Sequence, residues 1–121
     1  MRAWAEVNLD ALAHNVREIK ACIKDGVKFM AVVKADAYGH GVAEVAAEVL
    51  ENGADYLAVA FCDEAVELRK KGFDVPILIL GNVLDVEAET IVDYDITATV
   101  SDVSFARALS KVAMAKKPLT K

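Results

Sequence analysis

Phe29-Met30-Ala31-Val32-Val33-Lys34-Ala35-Asp36-Ala37-Tyr38-Gly39-His40-Gly41 passes from an unbroken apolar run into a polar stretch bearing two glycines. An apolar run of this length, rich in β-branched residues and bounded by turn residues, predicts a strand over Phe29–Val33. Apolar positions then recur at helical spacing over Val42–Leu50, so the run reads as strand, loop, helix. Gly39 and Gly41 let the chain turn tightly between the two.

The same alternation extends outward. Tyr56–Ala60, Ile77–Leu80 and Ile96–Val100 are further apolar runs, followed by helical spacing over Glu64–Lys71, Asp85–Val92 and Val103–Ala115. A helix over Ala11–Ile23 comes first. Asp10, Asp63 and Asp85, and Asp102 or Ser101, stand where N-caps are expected, and Gly26 and Gly72 where helices close. Strands apolar along their whole length require a parallel sheet covered on both faces, or a closed barrel. The fold class is therefore α/β, with parallel strands alternating with helices, and residues 1–121 are treated as one unit. Ala3–Val7 is read as an additional short strand of unassigned place.

Composition narrows the function classes. Hydrophobic residues make up 55% and charged residues 27% of 121, which describes an ordered globular chain. The net charge of −5 is not gathered into blocks, so no nucleic acid is expected as a partner. Lys70-Lys71 and Lys116-Lys117 read as solvated cations at helix ends. No apolar stretch approaches a membrane span, and the start of the chain lacks a signal-peptide core, so no membrane partner is expected and the location is read as cytoplasmic. Cys22 and Cys62 lack metal or redox spacing and are read as reduced and buried, with no metal site.

Lys34 ends the first strand, the end at which ligands and catalytic groups of parallel sheets and barrels collect. Its apolar flank would desolvate the amine and favour the uncharged nucleophile. From the strand-end position alone, however, Lys34 reads first as a lysine capping a buried strand and snorkelling to solvent. On the same basis Tyr38, Val32 and Leu80 read as packing residues. His40 is of a residue type suited to acid–base work but is read as structural, through a hydrogen bond, and Asp36 as ordering its loop through backbone hydrogen bonds.

Three segments in order change this balance. The string Ala31–Gly41 resembles the cofactor-lysine motif of alanine racemases, the pyridoxal-phosphate enzymes of fold-type III. The opening Trp4-Ala5-Glu6-Val7-Asn8-Leu9-Asp10-Ala11-Leu12-Ala13-His14-Asn15 and the later Val75-Pro76-Ile77-Leu78-Ile79-Leu80-Gly81 are similar to the same family. Three matches at compatible spacing are more specific than one short motif.

The resemblance implies the amino-terminal portion of a (β/α)8 TIM-type barrel. It implies that Lys34 holds pyridoxal 5′-phosphate as a Schiff base and serves as one of two catalytic bases. By the same likeness Tyr38 contacts the cofactor phosphate and Val32 and Leu80 line its pocket. The implied reaction interconverts L- and D-alanine for peptidoglycan in a cytoplasmic homodimer. The family's second base, a tyrosine from the partner subunit's carboxyl-terminal β-domain, matches no residue here. Its arginine beside the pyridine nitrogen also falls beyond Lys121. A closed barrel needs roughly 250 residues, so 1–121 is expected to be a partial barrel domain, lacking the other half of the barrel and the β-domain and inactive alone. Two alternatives stay open: a serine or broad-specificity amino-acid racemase, and a non-catalytic pyridoxal-phosphate-binding protein.

Overall fold

The computed structural model describes residues 3–116. Its strands are Met30–Val32 (β1), Tyr56–Val59 (β2), Ile77–Ile79 (β3) and Thr97–Ala98 (β4), and they form a parallel sheet in that order. All four coincide with the apolar runs, trimmed at their ends. Ala3–Val7 is not a strand: it forms no ladder, and Trp4, 75% exposed, bonds locally from Nε1 to Glu6 Oε1 at 3.1 Å. Residues 3–8 are all exposed, so no buried face holds the segment against the sheet.

The chain divides into two compact units, 1–58 and 59–121. In the first, helix Leu9–Ala21 (α1) precedes β1, a short helical turn Lys34–Tyr38 (α2) follows it, and helix Val42–Glu51 (α3) leads to β2. β1 and β2 pair with Met30 opposite Tyr56 and Val32 opposite Ala58. α1 packs on α3: Ala13 and Val16 bury on one side, Val45, Ala46 and Val49 on the other. These are the three- and four-residue spacings of an amphipathic helix.

In the second unit, helix Cys62–Lys70 (α4) leads to β3. A 3-10 turn at Asp85–Glu87 continues into helix Ala88–Asp93 (α5), and helix Val103–Lys116 (α6) follows β4. β3 and β4 pair with Leu78 opposite Thr97. Val59, Leu68, Ile77 and Ile79 are fully buried. Alternate strand residues point to opposite faces, and the face carrying Ile77 and Ile79 is the covered one. Leu80 is 43% exposed, and in the first unit Val32 is 44% exposed. β2 meets the expectation of burial on both faces, since Leu57, Ala58 and Val59 are all fully buried, whereas β1 and the residue after β3 leave Val32 and Leu80 half exposed.

Most helix starts use different caps from those expected. Asn8, not Asp10, accepts the Ala11 N–H through Oδ1 at 3.0 Å, so α1 begins at Leu9. α4 starts before Asp63, because Glu64 reaches back to accept the N–H groups of Ala60 and Phe61 at 2.8 and 2.9 Å. Glu87 does the same for Leu84 at 2.9 Å, in place of an Asp85 cap. A longer carboxylate at the third position satisfies orphan donors that an aspartate inside the helix cannot reach. Asp102 does cap α6, accepting the Phe105 N–H at 2.7 Å. Gly72 closes α4 in a Schellman arrangement, with Phe73 N–H to Leu68 O at 3.2 Å, whereas Gly26 lies beyond the Cys22 end of α1. Cys22 is exposed rather than buried, because α1 turns its apolar stripe at Ala13 and Val16 the other way; Cys62 is buried, and both thiols are free.

The second unit is tied together by a residue that sequence patterning does not nominate. The Arg69 guanidinium donates to the carbonyls of Phe73 and Val75 at 2.7 Å and of Tyr94 and Asp95 at 2.8 Å. It joins the end of α4 to the approach to β3 and to the end of α5. A five-donor planar fork suits four converging carbonyls where an ammonium does not. Of the Lys116-Lys117 pair, Lys116 bonds Glu89 and Asp93 at 2.9 and 2.8 Å rather than standing solvated; Lys117 lies outside the described residues.

Candidate functional site

The site sits where β1 ends. Val33 N–H bonds Ala58 O at 2.8 Å, which carries the β1–β2 ladder up to Lys34. The next residues form a turn of left-handed helix in place of the open loop expected from sequence. Ala35, Asp36, Ala37 and Tyr38 have φ of +53°, +56°, +55° and +55°. Left-handed backbone costs an L-residue about 1–2 kcal/mol each, so four in succession persist only where surrounding bonds dictate them.

Those bonds are present. Ala37 N–H donates to Val33 O at 3.0 Å, and Gly39 N–H to Ala35 O at 3.1 Å. Gly41 N–H donates to Asp36 O at 3.1 Å, and Val42 N–H to Asp36 Oδ1 at 2.7 Å. Asp36 therefore orders its loop as expected, spanning from the turn to the first N–H of α3. His40 gives both its backbone N–H and Nδ1 to the carbonyl of Ala37, at 3.1 and 2.9 Å. A carbonyl acceptor requires the proton on Nδ1, which is the structural role expected of it. Gly39, at φ +85°, leaves the turn in a conformation only glycine adopts without strain.

The turn brings Lys34 and Tyr38 together. Lys34 is half-buried, and its Nζ lies 6.0 Å from the centroid of the Tyr38 ring, which is 66% exposed. Lys34 is in no ion pair among the described residues. The amine is held by position, not by a carboxylate. The hydroxyl of Tyr38 is correspondingly open to a ligand rather than packed in the core.

Val32 lies two residues before Lys34. It faces a cavity of about 370 Å³ shared with Asn8, Leu12, Ala37, His40 and Val45. Neither Lys34 nor Tyr38 lines that cavity, so the amine addresses the open side of the turn. Leu80, in the second unit, ends β3 with its N–H on Val59 O at 2.7 Å and its side chain outside the core. The next residue, Gly81, comes so close to the strand before it that an added Cβ would lie 2.6 Å from Ala60 O. Among the described residues no cluster of three His, Cys, Asp or Glu could hold a metal ion, and no helix is long and apolar enough to cross a membrane.

The donor set suits an aldehyde cofactor with a phosphate and an apolar ring. It offers a primary amine at a strand's carboxyl end with no competing carboxylate among the described residues and a phenolic hydroxyl four residues on, while the apolar Val32 lines a separate cavity.

Known proteins share this arrangement of elements. The family described as "Alanine racemase, N-terminal domain" matches residues 7–120. Alanine racemase 2 of Caldanaerobacter subterraneus subsp. tengcongensis is 50% identical over 111 residues, 92% of this chain and 29% of that protein. The alanine racemase of Clostridium tetani is 49% identical over 111 residues, again 92% of this chain and 28% of that protein. Among solved structures, an alanine racemase of Clostridium difficile 630 superposes with a TM-score of 0.90 at 41% identity, covering 95% of this chain and 31% of that one. A histidine racemase from Leuconostoc mesenteroides subsp. sake NBRC 102480 superposes with a TM-score of 0.81 at 30% identity, covering 90% and 29%. The chain thus spans under a third of each of these relatives. Its four parallel strands and their helices match the N-terminal part of the alanine racemase barrel.

Proposed function

The chain belongs to the alanine racemase family through its N-terminal domain, and on that premise we propose that it is the cofactor-anchoring part of a pyridoxal-phosphate-dependent enzyme interconverting L- and D-alanine. The observation that carries this reading is the Lys34 amine at the end of β1, in no ion pair among the described residues and 6.0 Å from the ring of Tyr38.

Pyridoxal phosphate, when bound, supplies the electron sink that makes the substrate's α-proton acidic. Lys34 would hold it through Nζ, and its amine would take and return the α-proton on one face of the substrate. The Tyr38 hydroxyl would hold the phosphate by donating a hydrogen bond to it. By family likeness, Val32 and Leu80 would each offer apolar surface to the ring. Inversion also needs a proton delivered to the opposite face. By family likeness, a tyrosine from the carboxyl-terminal domain of a partner subunit supplies it, so residues 1–121 alone anchor cofactor without turning over. The whole protein in this proposal is a cytoplasmic homodimer making D-alanine for peptidoglycan.

The test is to add pyridoxal phosphate to the full-length protein, record its absorbance band, fix the adduct with borohydride and map it. A band lost in Lys34→Ala and an adduct confined to Lys34, with racemisation of alanine, are expected; an adduct spread over surface lysines would overturn the reading. A second substrate reading has one observation in its favour, namely that a histidine racemase shares this domain at 30% identity. Comparing rates on individual L-amino acids separates the two.

A further inference from the structure

Lys34 and Tyr38 stand at the two ends of a backbone turn that L-residues resist, and the segment makes little contact with the core: Ala37 is its buried member, while Ala35, Asp36 and Tyr38 are exposed. Core packing therefore does not set the hand of the turn. Hydrogen bonds do, and one of them comes from a side chain that also grips the next helix: Asp36 Oδ1, 2.7 Å from Val42 N. The same residue's carbonyl accepts from Gly39 and Gly41 at 3.0 and 3.1 Å.

We infer that Asp36 is a positioning residue, whose carboxylate locks the left-handed turn to the start of α3 and so holds Lys34 Nζ and the Tyr38 hydroxyl in register for one ligand. This rests on the cofactor reading above, but it assigns to Asp36 a share in the site that its distance from any reacting atom conceals. Without the lock, Ala35–Ala37 relax toward right-handed or extended backbone. Tyr38 then swings away from Lys34, while helix α3 keeps its own packing through Val45, Ala46 and Val49.

Two variants of the full-length protein break the lock from opposite sides. Asp36→Ala removes the acceptor. Val42→Pro removes the donor at a first helical position, where proline is tolerated. Asp36→Asn keeps an oxygen for the Val42 N–H and serves as the conservative rescue. Pyridoxal phosphate is titrated by its absorbance, and the borohydride-fixed adduct is mapped. Losing one charge-assisted hydrogen bond near the surface should weaken cofactor binding about tenfold, in both lock-breaking variants, with Asp36→Asn within about threefold of wild type. The fraction of adduct on Lys34 should fall with it, while circular dichroism is unchanged. Wild-type affinity and Lys34 selectivity in folded Asp36→Ala or Val42→Pro would overturn the inference, as would an Asp36→Asn protein as impaired as Asp36→Ala. If wild type itself forms no Lys34 adduct, the cofactor reading fails instead, so the two failures are distinguishable.

Discussion

Lys34 Nζ lies 6.0 Å from the centre of the Tyr38 ring, across a single turn of left-handed helix. The lysine keeps one side toward the ring and pairs with no carboxylate among the described residues, so the two side chains place a nucleophile and a hydroxyl on the same side of a strand end.

Tyr38→Phe keeps the ring beside the amine and removes the hydroxyl. If the hydroxyl donates to the cofactor phosphate, pyridoxal phosphate should bind about tenfold more weakly, the worth of one hydrogen bond to a charged group, and the Lys34 adduct should still form. Titration of the cofactor band measures this; unchanged affinity would remove Tyr38 from the phosphate.

Arg69→Ala deprives four carbonyls of their donor. Destabilisation of about 2–4 kcal/mol is expected, with little rescue by Arg69→Lys, because an ammonium cannot reach all four acceptors. Urea midpoints of the three proteins decide it.

Gly81→Ala would place a Cβ 2.6 Å from the carbonyl oxygen of Ala60, a backbone atom that cannot swing aside. The end of β3 must shift, costing about 1–3 kcal/mol as overpacking does and displacing neighbouring Leu80. Thermal unfolding measures the cost, and an unchanged midpoint would mean that the strand end accommodates the added methyl.

Asp55 accepts the Phe29 N–H at 2.8 Å, and chiefly for that reason its carboxyl is held below the ordinary carboxylate value, with Lys20 and Lys28 adding to the effect. A depressed native value means that its stabilising effect is fully present above the unfolded pKa of about 4 and is lost as pH falls through the native value. Asp55→Ala should therefore flatten the acid limb of the stability curve below about pH 4 and lower the plateau at neutral pH. Parallel acid limbs in the two proteins would contradict this.

Burial pushes the Cys62 thiol up, with the charges of Glu87 and Asp63 acting in the same sense. At neutral pH it stays protonated and shielded, whereas Cys22 is exposed. Iodoacetamide should alkylate Cys22 at least about tenfold faster, the thiolate being the reactive form, as peptide mapping over time will show. Comparable rates would mean that α4 opens readily.

Strand positions were legible because apolar runs such as Ile77–Leu80 admit few other conformations beside turn residues, and Lys34 was legible as a candidate because it follows one of them and opens a string resembling the family's motif. Helix ends were less so. An aspartate before a helical run looks like a cap, yet Asn8, Glu64 and Glu87 do that work, because reach in three dimensions rather than position along the chain decides which oxygen meets an N–H. Nothing in the local pattern marks Arg69, since its acceptors include segments up to 26 residues away.

By itself, the sequence determined the alternation of strand and helix and the placing of an amine at a strand's carboxyl end, because both follow from residue type and spacing along a short stretch. Only the tertiary structure decided the hand of the turn from Ala35 to Tyr38. Ala-Asp-Ala-Tyr locally favours the right-handed form, and the balance tips only when the Val42 N–H and the Val33 carbonyl are brought to it by the helix and strand on either side.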